Sequence, residues 1–373
     1  MAGPWNRAEG VLVATRLDPD AVAAHLAAAG VLARLEWYPG TEHLLSLSVL
    51  TDPAGSVGAA GEGQVVAGPT LPELVEELQA TFDADVLMDG VPAGHEADWT
   101  ITEEGITLGP GAREATPEDG AIPGVVEEED TAHDARTVVL TPMPVHQVPL
   151  HATLLGRPVT VAEQPVDGEP RRLVMTTGPG RELGVHGWDA DAYPVLRLQV
   201  DAEDRTALLL PGPDSDVDER EGGVAVFSWS MRSRYVLPDD AAGPVRTLVE
   251  DLLGDGEDAA AFAAAVPGAD PAAVAASFAL PGADGLAAFV AALGLPPAVA
   301  DVLEGRAEPA DLEGARTHEA ERLPRAAAQS ARLALEGQPP MAPSTRTALR
   351  AGAVGLGALA VVAMVMARRG RRG

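Results

Sequence analysis

The chain contains no cysteine and no lysine: all 26 of its basic residues are arginine. The first absence excludes disulfides, thiolate nucleophiles, cysteine-ligated zinc and iron–sulfur clusters together. The second excludes the phosphate-loop lysine of nucleotide-binding loops, a Schiff-base lysine and the strand lysine of protein kinases. Asparagine occurs once, at Asn6, and isoleucine three times, at Ile101, Ile106 and Ile122, beside 40 Gly and 32 Pro. Codons for Lys, Asn and Ile are scarce in GC-rich genomes, so this bias points to a high-GC bacterial source. An enzyme built from this alphabet would work with Asp, Glu, His, Ser, Thr, Tyr and Arg.

Acidic residues are plentiful. Against 26 Arg stand 56 Asp and Glu, for a formal net charge of −30. The surplus is unevenly placed, because residues 331–373 carry seven Arg and one Glu, leaving 19 Arg and 55 acids for residues 1–330. So acidic a body repels phosphate backbones, and no nucleic-acid partner is expected. At 373 residues with 46% hydrophobic content, the chain is long enough for two or three separate cores.

Local patterning gives an α+β fold class with this organisation. Residues 1–109 read as an α+β domain of split βαβ type. A strand over 10–17 is followed by Asp18-Pro19-Asp20 as cap and first turn of a helix stopped by Gly30. Leu32–Tyr38 and Leu44–Leu50 make a hairpin, Thr70-Leu71-Pro72-Glu73 is a capping box for a helix over Leu71–Thr81, and Asp85–Met88 is a strand. Trp99–Thr102 and Gly105–Leu108 form a further hairpin. Residues 110–134, rich in Gly, Pro and acid, form a linker. Residues 135–240 hold short β-type runs parted by Pro and Gly, Val145–Leu155 and Arg234–Leu237 among them, and read as an antiparallel β-rich domain. Residues 241–336 switch to helical periodicity, with starts at Pro244, Asp270-Pro271 and Pro296-Pro297 and stops at Gly254, Gly294 and Gly305, and read as a small helical bundle. Residues 337–350 form a Pro-rich tether.

The search for chemistry finds fragments. His146 and His151, read as lying on a strand, point to opposite faces. His133-Asp134 and His95-Glu96 with Asp98 lack the i, i+4 spacing of a zinc helix. Asp214, Asp216 and Asp218 alternate as in a calcium loop, but the loop's sixth position is Glu219 where Gly is needed and its twelfth is Ala225 where Glu is needed. Gly178–Gly184 has its last glycine one place late for a phosphate loop, and Ala54–Gly58 lacks the first glycine of a nucleophile elbow. The acid pairs Asp83/Asp85 and Asp189/Asp191 are expected by chance among 56 acids. No catalytic, cofactor-binding or metal-ligating residue is assigned, and no cofactor is expected.

The C-terminus holds the clearest feature. Ala351–Ala367 is 17 residues without a charge, about 25 Å of helix at ~1.5 Å per residue, which reaches the lower edge of a bilayer core. Small residues at Ala351/Gly355 and Ala353/Gly357 fit close helix–helix association. Residues 368–373 carry Arg368, Arg369, Arg371 and Arg372 as a basic tail. The apolar patch Val11–Ala14 is too short for a signal-peptide core, so the body is expected in the cytoplasm, tail-anchored by a single pass in the cell membrane. The sequence thus points to a membrane-tethered, non-enzymatic acidic module that binds a protein partner. The alternative is a membrane-anchored hydrolase using carboxylates and His, with or without a divalent metal.

Overall fold

The computed structural model describes residues 5–91, 99–102, 105–108, 135–165, 170–178, 183, 190–202, 204–212, 224–238 and 241–336. Linker 110–134, tether 337–350, the span 351–367 and tail 368–373 lie outside them. Among the described residues no helix is long and apolar enough to cross a membrane. An N-terminal α/β region, an antiparallel β-rich middle sheet and a C-terminal set of helices are all present, and the chain forms two compact units. The first comprises Met1–Glu128 with Met231–Gly256, the second Glu129–Ser230 with Glu257–Gly373.

In the first unit β1 (Asn6–Val13) leads into α1 (Pro19–Ala28), then β2 (Ala33–Trp37) and β3 (Leu44–Thr51). The hairpin β4 (Ser56–Ala60) and β5 (Val65–Thr70) precedes α2 (Leu71–Phe82) and β6 (Asp85–Met88). The helix starts follow from their caps. Asp18 accepts a hydrogen bond from the Asp20 amide ahead of α1, and Thr70 and Glu73 bond reciprocally at the head of α2. In α2 the residues Leu71, Leu74, Val75 and Leu78 recur at helical spacing and are buried. All sheet pairings are antiparallel, in the order β15-β2-β3-β1-β6, where β15 is Arg232–Val236, with the β4–β5 hairpin attached to β3.

Alternation divides the core of this sheet. Leu12, Leu35, Leu45, Leu47 and Val49 pack with Val22 and Leu26 of α1 and with Leu74 and Leu78 of α2. Leu32, Leu50 and Val65 belong to a separate cluster with α4 (Gly243–Leu253), which contributes Val245, Val249 and Leu253 at i, i+4 and i+8. Both the strand at 232–236 and the helix at 243–253 therefore belong to the N-terminal unit. Sequence boundaries at 240 and 241 had grouped the strand with the β-rich segment and the helix with the bundle. Pairing of Arg234 opposite Leu35 and the burial of Val249 override proximity along the chain. The short pair β7 (Trp99–Thr102) and β8 (Gly105–Leu108) is an antiparallel hairpin, as read from the sequence.

The second unit is built on β9 (Arg136–Thr141), β10 (Val159–Glu163), β11 (Arg172–Thr177), β12 (Val195–Val200), β13 (Arg205–Leu210), β14 (Ala225–Ser228) and β16 (Arg316–His318). They form one antiparallel sheet in the order β14-β13-β12-β9-β11-β10-β16. Val139, Val161, Val174, Val195 and Leu208 form a core with Val148 and Ala152 of α3 (Val148–Leu155). Residues one position along, Val138, Leu140, Leu173, Met175, Leu196 and Leu198, pack with the helices α5 (Gly256–Ala265), α7 (Gly282–Ala292) and α8 (Ala298–Leu303). α6 (Pro271–Phe278) joins the same cluster through Val274. A final helix, α9 (Leu323–Glu336), contacts α3 and the turn Val145–Gln147.

Four of the five phenylalanines of the chain gather between sheet and helices in this unit. Phe227 stacks on Phe278 with ring centroids 3.8 Å apart, while Trp229 and Phe262 lie 5.1 and 5.3 Å from Phe289. The Trp229 indole N–H donates to the Ser277 carbonyl at 3.2 Å, satisfying the one polar atom of a buried ring. Gly285 makes room for it, because a Cβ there would stand 2.3 Å from the indole Cδ1.

Candidate functional site

The residues singled out in the sequence do not converge among the described residues. Val145–Leu155 is helical, a short 3-10 turn at Val145–Gln147 followed by α3, where the sequence reading had a strand. Pro149 in the first turn and Gly156 in the left-handed conformation at the C-cap set its ends. His146 and His151 still do not share a face, since five residues of helix rotate a side chain by roughly 140°. In the Ala54–Gly58 stretch, Ala54 and Gly55 lie in a turn held by Asp52, whose carboxylate accepts from the amides of Ala54 and Ser56, and Ser56–Gly58 open β4. Asp83 caps α2 in a left-handed conformation and Asp85 is an exposed residue of β6. Asp191 sits in the 3-10 turn Ala190–Ala192, and the Gly178 amide donates to the Ala135 carbonyl. His95, Glu96, Asp98, His133, Asp134, Asp189, Asp214, Asp216 and Asp218 fall outside the described residues, as do Ala351, Ala353, Gly355 and Gly357. Among the described residues no three His, Asp or Glu side chains gather as a metal site requires.

Two buried polar constellations stand out instead, one in each unit. In the first unit the guanidinium of Arg34 on β2 is 2% exposed. It donates to both carboxylate oxygens of Asp255 at 2.7 Å, to Glu36 at 2.8 Å and to the Leu253 carbonyl at 2.9 Å. Tyr235 of β15 lies against it, with the guanidinium carbon 5.8 Å from the ring centroid. Burial opposes the charge of Arg34, but its hydrogen bonds to Asp255 and the nearby Glu36 outweigh that and hold its pKa above the ordinary value. The Tyr235 hydroxyl is pushed up, first by burial and then by surrounding carboxylates. Gly254 permits the approach, since a Cβ there would come within 2.9 Å of the Tyr235 hydroxyl. Planar two-point pairing ties the end of α4 to the middle of β2, which is what a guanidinium does well and an ammonium does not.

In the second unit His318 of β16 is 8% exposed. Its Nδ1 lies 3.3 Å from the amide nitrogen of Gln329 on α9. In this arrangement the Gln329 NH2 faces Nδ1, which leaves Nε2 as the other ring nitrogen. That Nε2 is buried and meets no protein partner, as is the Ser330 hydroxyl one residue along α9. Burial, followed by the charge of Arg316, holds the His318 pKa below its ordinary value.

Sequence reading had flagged neither constellation. For Arg34 a signal existed: Arg34 and Glu36 alternate with the buried apolar positions Ala33 and Leu35, so one face of β2 carries opposite charges two residues apart. For His318 there was none, because a three-residue strand is too short to show periodicity.

The surface adds a third feature. Among the described residues the large apolar side chains left exposed are Val226 at 51%, Leu280 at 44% and Tyr235 at 36%. Val226 lies on β14, at one end of the second sheet, and Leu280 follows Phe278, whose ring stacks on Phe227 of that strand. Tyr235 lies on β15, the terminal strand of the first sheet. Comparison with known proteins returns no match to a family model, a curated relative or a solved structure.

Proposed function

We propose that the chain is a membrane-tethered, non-enzymatic module that binds a protein partner through the apolar end of its second sheet. The observation that carries this reading is the coincidence of exposed apolar side chains with terminal strands. A terminal strand offers backbone donors and acceptors to an incoming extended segment, and natural sheets usually blunt such strands with charge. Here β14 reads Ala-Val-Phe-Ser, without a charge; its Val226 is exposed, as is Leu280, which follows the Phe278 that stacks on Phe227 of the strand. Its counterpart β15 carries Arg232 and Arg234, which suits a blunted edge. The partner surface is therefore assigned to β14.

Two finer elements belong to the same proposal. The order β2-β3-β1-β6, with α1 and α2 as the connections, supports a split βαβ type for the N-terminal unit, decorated by β15 and the β4–β5 hairpin. Residues 351–367 form a single membrane-spanning anchor, with the body on the cytoplasmic side and the helix self-associating through Ala351, Gly355, Ala353 and Gly357.

A photo-crosslinking amino acid placed at 226 or 280 in living cells tests the surface, with exposed position 28 on α1 as the control. Discrete adducts from 226 and 280 but not from 28 are expected. The same diffuse pattern at all three positions would refute the assignment. The anchor is tested separately by carbonate extraction, which the full chain should resist and a chain ending at Gly337 should not.

A further inference from the structure

We infer that the partner assigned to β14 above is a basic extended segment, which adds to the strand antiparallel and sets an arginine or lysine beside Ser228 and Asp204; this step rests on that assignment. Three observations within the second unit carry it. The first is the direction of the backbone groups. Trp229 donates its amide to the Arg205 carbonyl at 2.9 Å, and the β13–β14 register sets Phe227 opposite Ala207 and Ala225 opposite Leu209. Hydrogen-bonded and non-bonded pairs alternate along an antiparallel ladder, so positions 225, 227 and 229 turn their backbone groups towards β13, while Val226 and Ser228 turn theirs to the open side. Those two positions set the register of an added strand.

The second is the order of side chains along that register. Every pairing in this sheet is antiparallel, and a segment entering the same way meets Ser228 first, then Phe227, Val226 and Ala225. Its residue opposite Val226 lies beside a side chain that is 51% exposed, on the face of Leu208. Its residue opposite Ala225 lies on the face of Phe227 and meets the smaller of the two side chains there, which favours a bulky apolar group.

The third is charge. The residue opposite Ser228 shares the face of a hydroxyl that donates to the Asp204 carboxylate at 2.6 Å, and Asp201 accepts the Asp204 amide at 2.8 Å. Arg205 beside them is bidentate on Glu304 at 2.8 and 3.1 Å, so three carboxylates stand against one guanidinium at this end of the strand. A cation on the incoming segment comes within reach of them, because cross-strand neighbours lie about 5 Å apart. The same balance disfavours a second copy of the chain, which would bring a net charge of −30 to the edge and no basic residue within its own β14.

Peptide binding to the full chain in mild detergent, read by fluorescence anisotropy, tests this. The probe is a labelled Thr-Arg-Ala-Val-Leu-Thr-Thr, which sets its Arg opposite Ser228 and its Val opposite Val226, with versions carrying Gln or Glu in place of the Arg. Binding should weaken about two- to fivefold with Gln and about tenfold with Glu. Asp204→Asn should narrow the gap between the Arg and Gln peptides. Val226→Pro should abolish binding of the Arg peptide, since proline there lacks an N–H that β13 does not use; retained protection of the Phe227 amide shows that the β13–β14 pairing survives. Equal binding of the three peptides, no binding, a gap unchanged by Asp204→Asn, or binding indifferent to Val226→Pro would each overturn the basic segment. The assignment of the surface to β14 then stands or falls separately with the photo-adducts from 226 and 280. An adduct of twice the chain mass, or a link from 226 to the basic residues 338–373 of the same chain, would replace the partner by a second copy or by the chain's own tail and overturn the inference.

Discussion

Replacing Asp255 by Ala isolates what the buried guanidinium requires. In the wild type Arg34 makes four hydrogen bonds, two of them at 2.7 Å to the Asp255 carboxylate. Asp255→Ala leaves two donors unpaired beside a group that is 2% exposed. Breaking a buried ion pair from one side costs about 3–5 kcal/mol. Two features reduce that here: Glu36 remains bonded, and the Asp255 side chain is 24% exposed, so water can reach the orphaned donors. A loss of about 2–3 kcal/mol is expected. The companion variant Arg34→Met/Asp255→Leu removes the guanidinium and its two-point partner but leaves Glu36 without its ion pair to Arg34, so it should recover only part of the loss and lie about 1–2 kcal/mol below wild type. Urea unfolding followed through exchange of the β2 and α4 amides measures both changes locally. A loss below ~0.5 kcal/mol for Asp255→Ala would refute the reasoning, as would a double variant less stable than the single one.

Two further perturbations probe the rest of the framework. Phe289→Ala empties a fully buried ring site flanked by Trp229, Phe262 and Phe278, and a loss of about 3–5 kcal/mol is expected by denaturant unfolding with tryptophan fluorescence as the probe. The Glu73 carboxyl, held below its ordinary pKa first by the Thr70 amide and then by the Thr70 hydroxyl, stabilises α2 above the ordinary glutamate range; that contribution fades as pH falls through the lowered value. Glu73→Gln should flatten the acid limb of α2 exchange, and an unchanged limb would count against the capping contribution.

Most helices of both units were legible because their ends are written in single residues. Asp18-Pro19, Thr70 with Glu73, and Asp270, whose carboxylate accepts from the amides of Ala272 and Ala273, mark starts that no tertiary contact needs to supply. Val145–Leu155 was not legible for a physical reason. Its apolar run sits in a chain whose neighbouring strands are covered on both faces, so buried strands and a buried helix both read as continuous hydrophobic stretches, and period alone does not separate them. Pro149 and Gly156 were the better guides, since a proline in a first turn and a glycine at a C-cap favour a helix over a central strand.

The partition of the chain was hidden for a different reason. Periodicity reports which faces of an element are apolar, not which sheet receives them. The segment 231–256 returns to the N-terminal unit because β2 has an open edge opposite β3 and because Leu32, Leu50 and Val65 need a cover that α4 provides. Neither need is local to the segment. What the sequence did contain was the companion charge: Arg34 and Glu36 on one face of a strand require a partner for a buried guanidinium, and Asp255 follows directly on the glycine that ends α4. A buried arginine in a strand thus asks for a carboxylate from elsewhere in the chain, and it is long-range satisfaction of that kind, more than propensity, that joins residue 34 to residue 255.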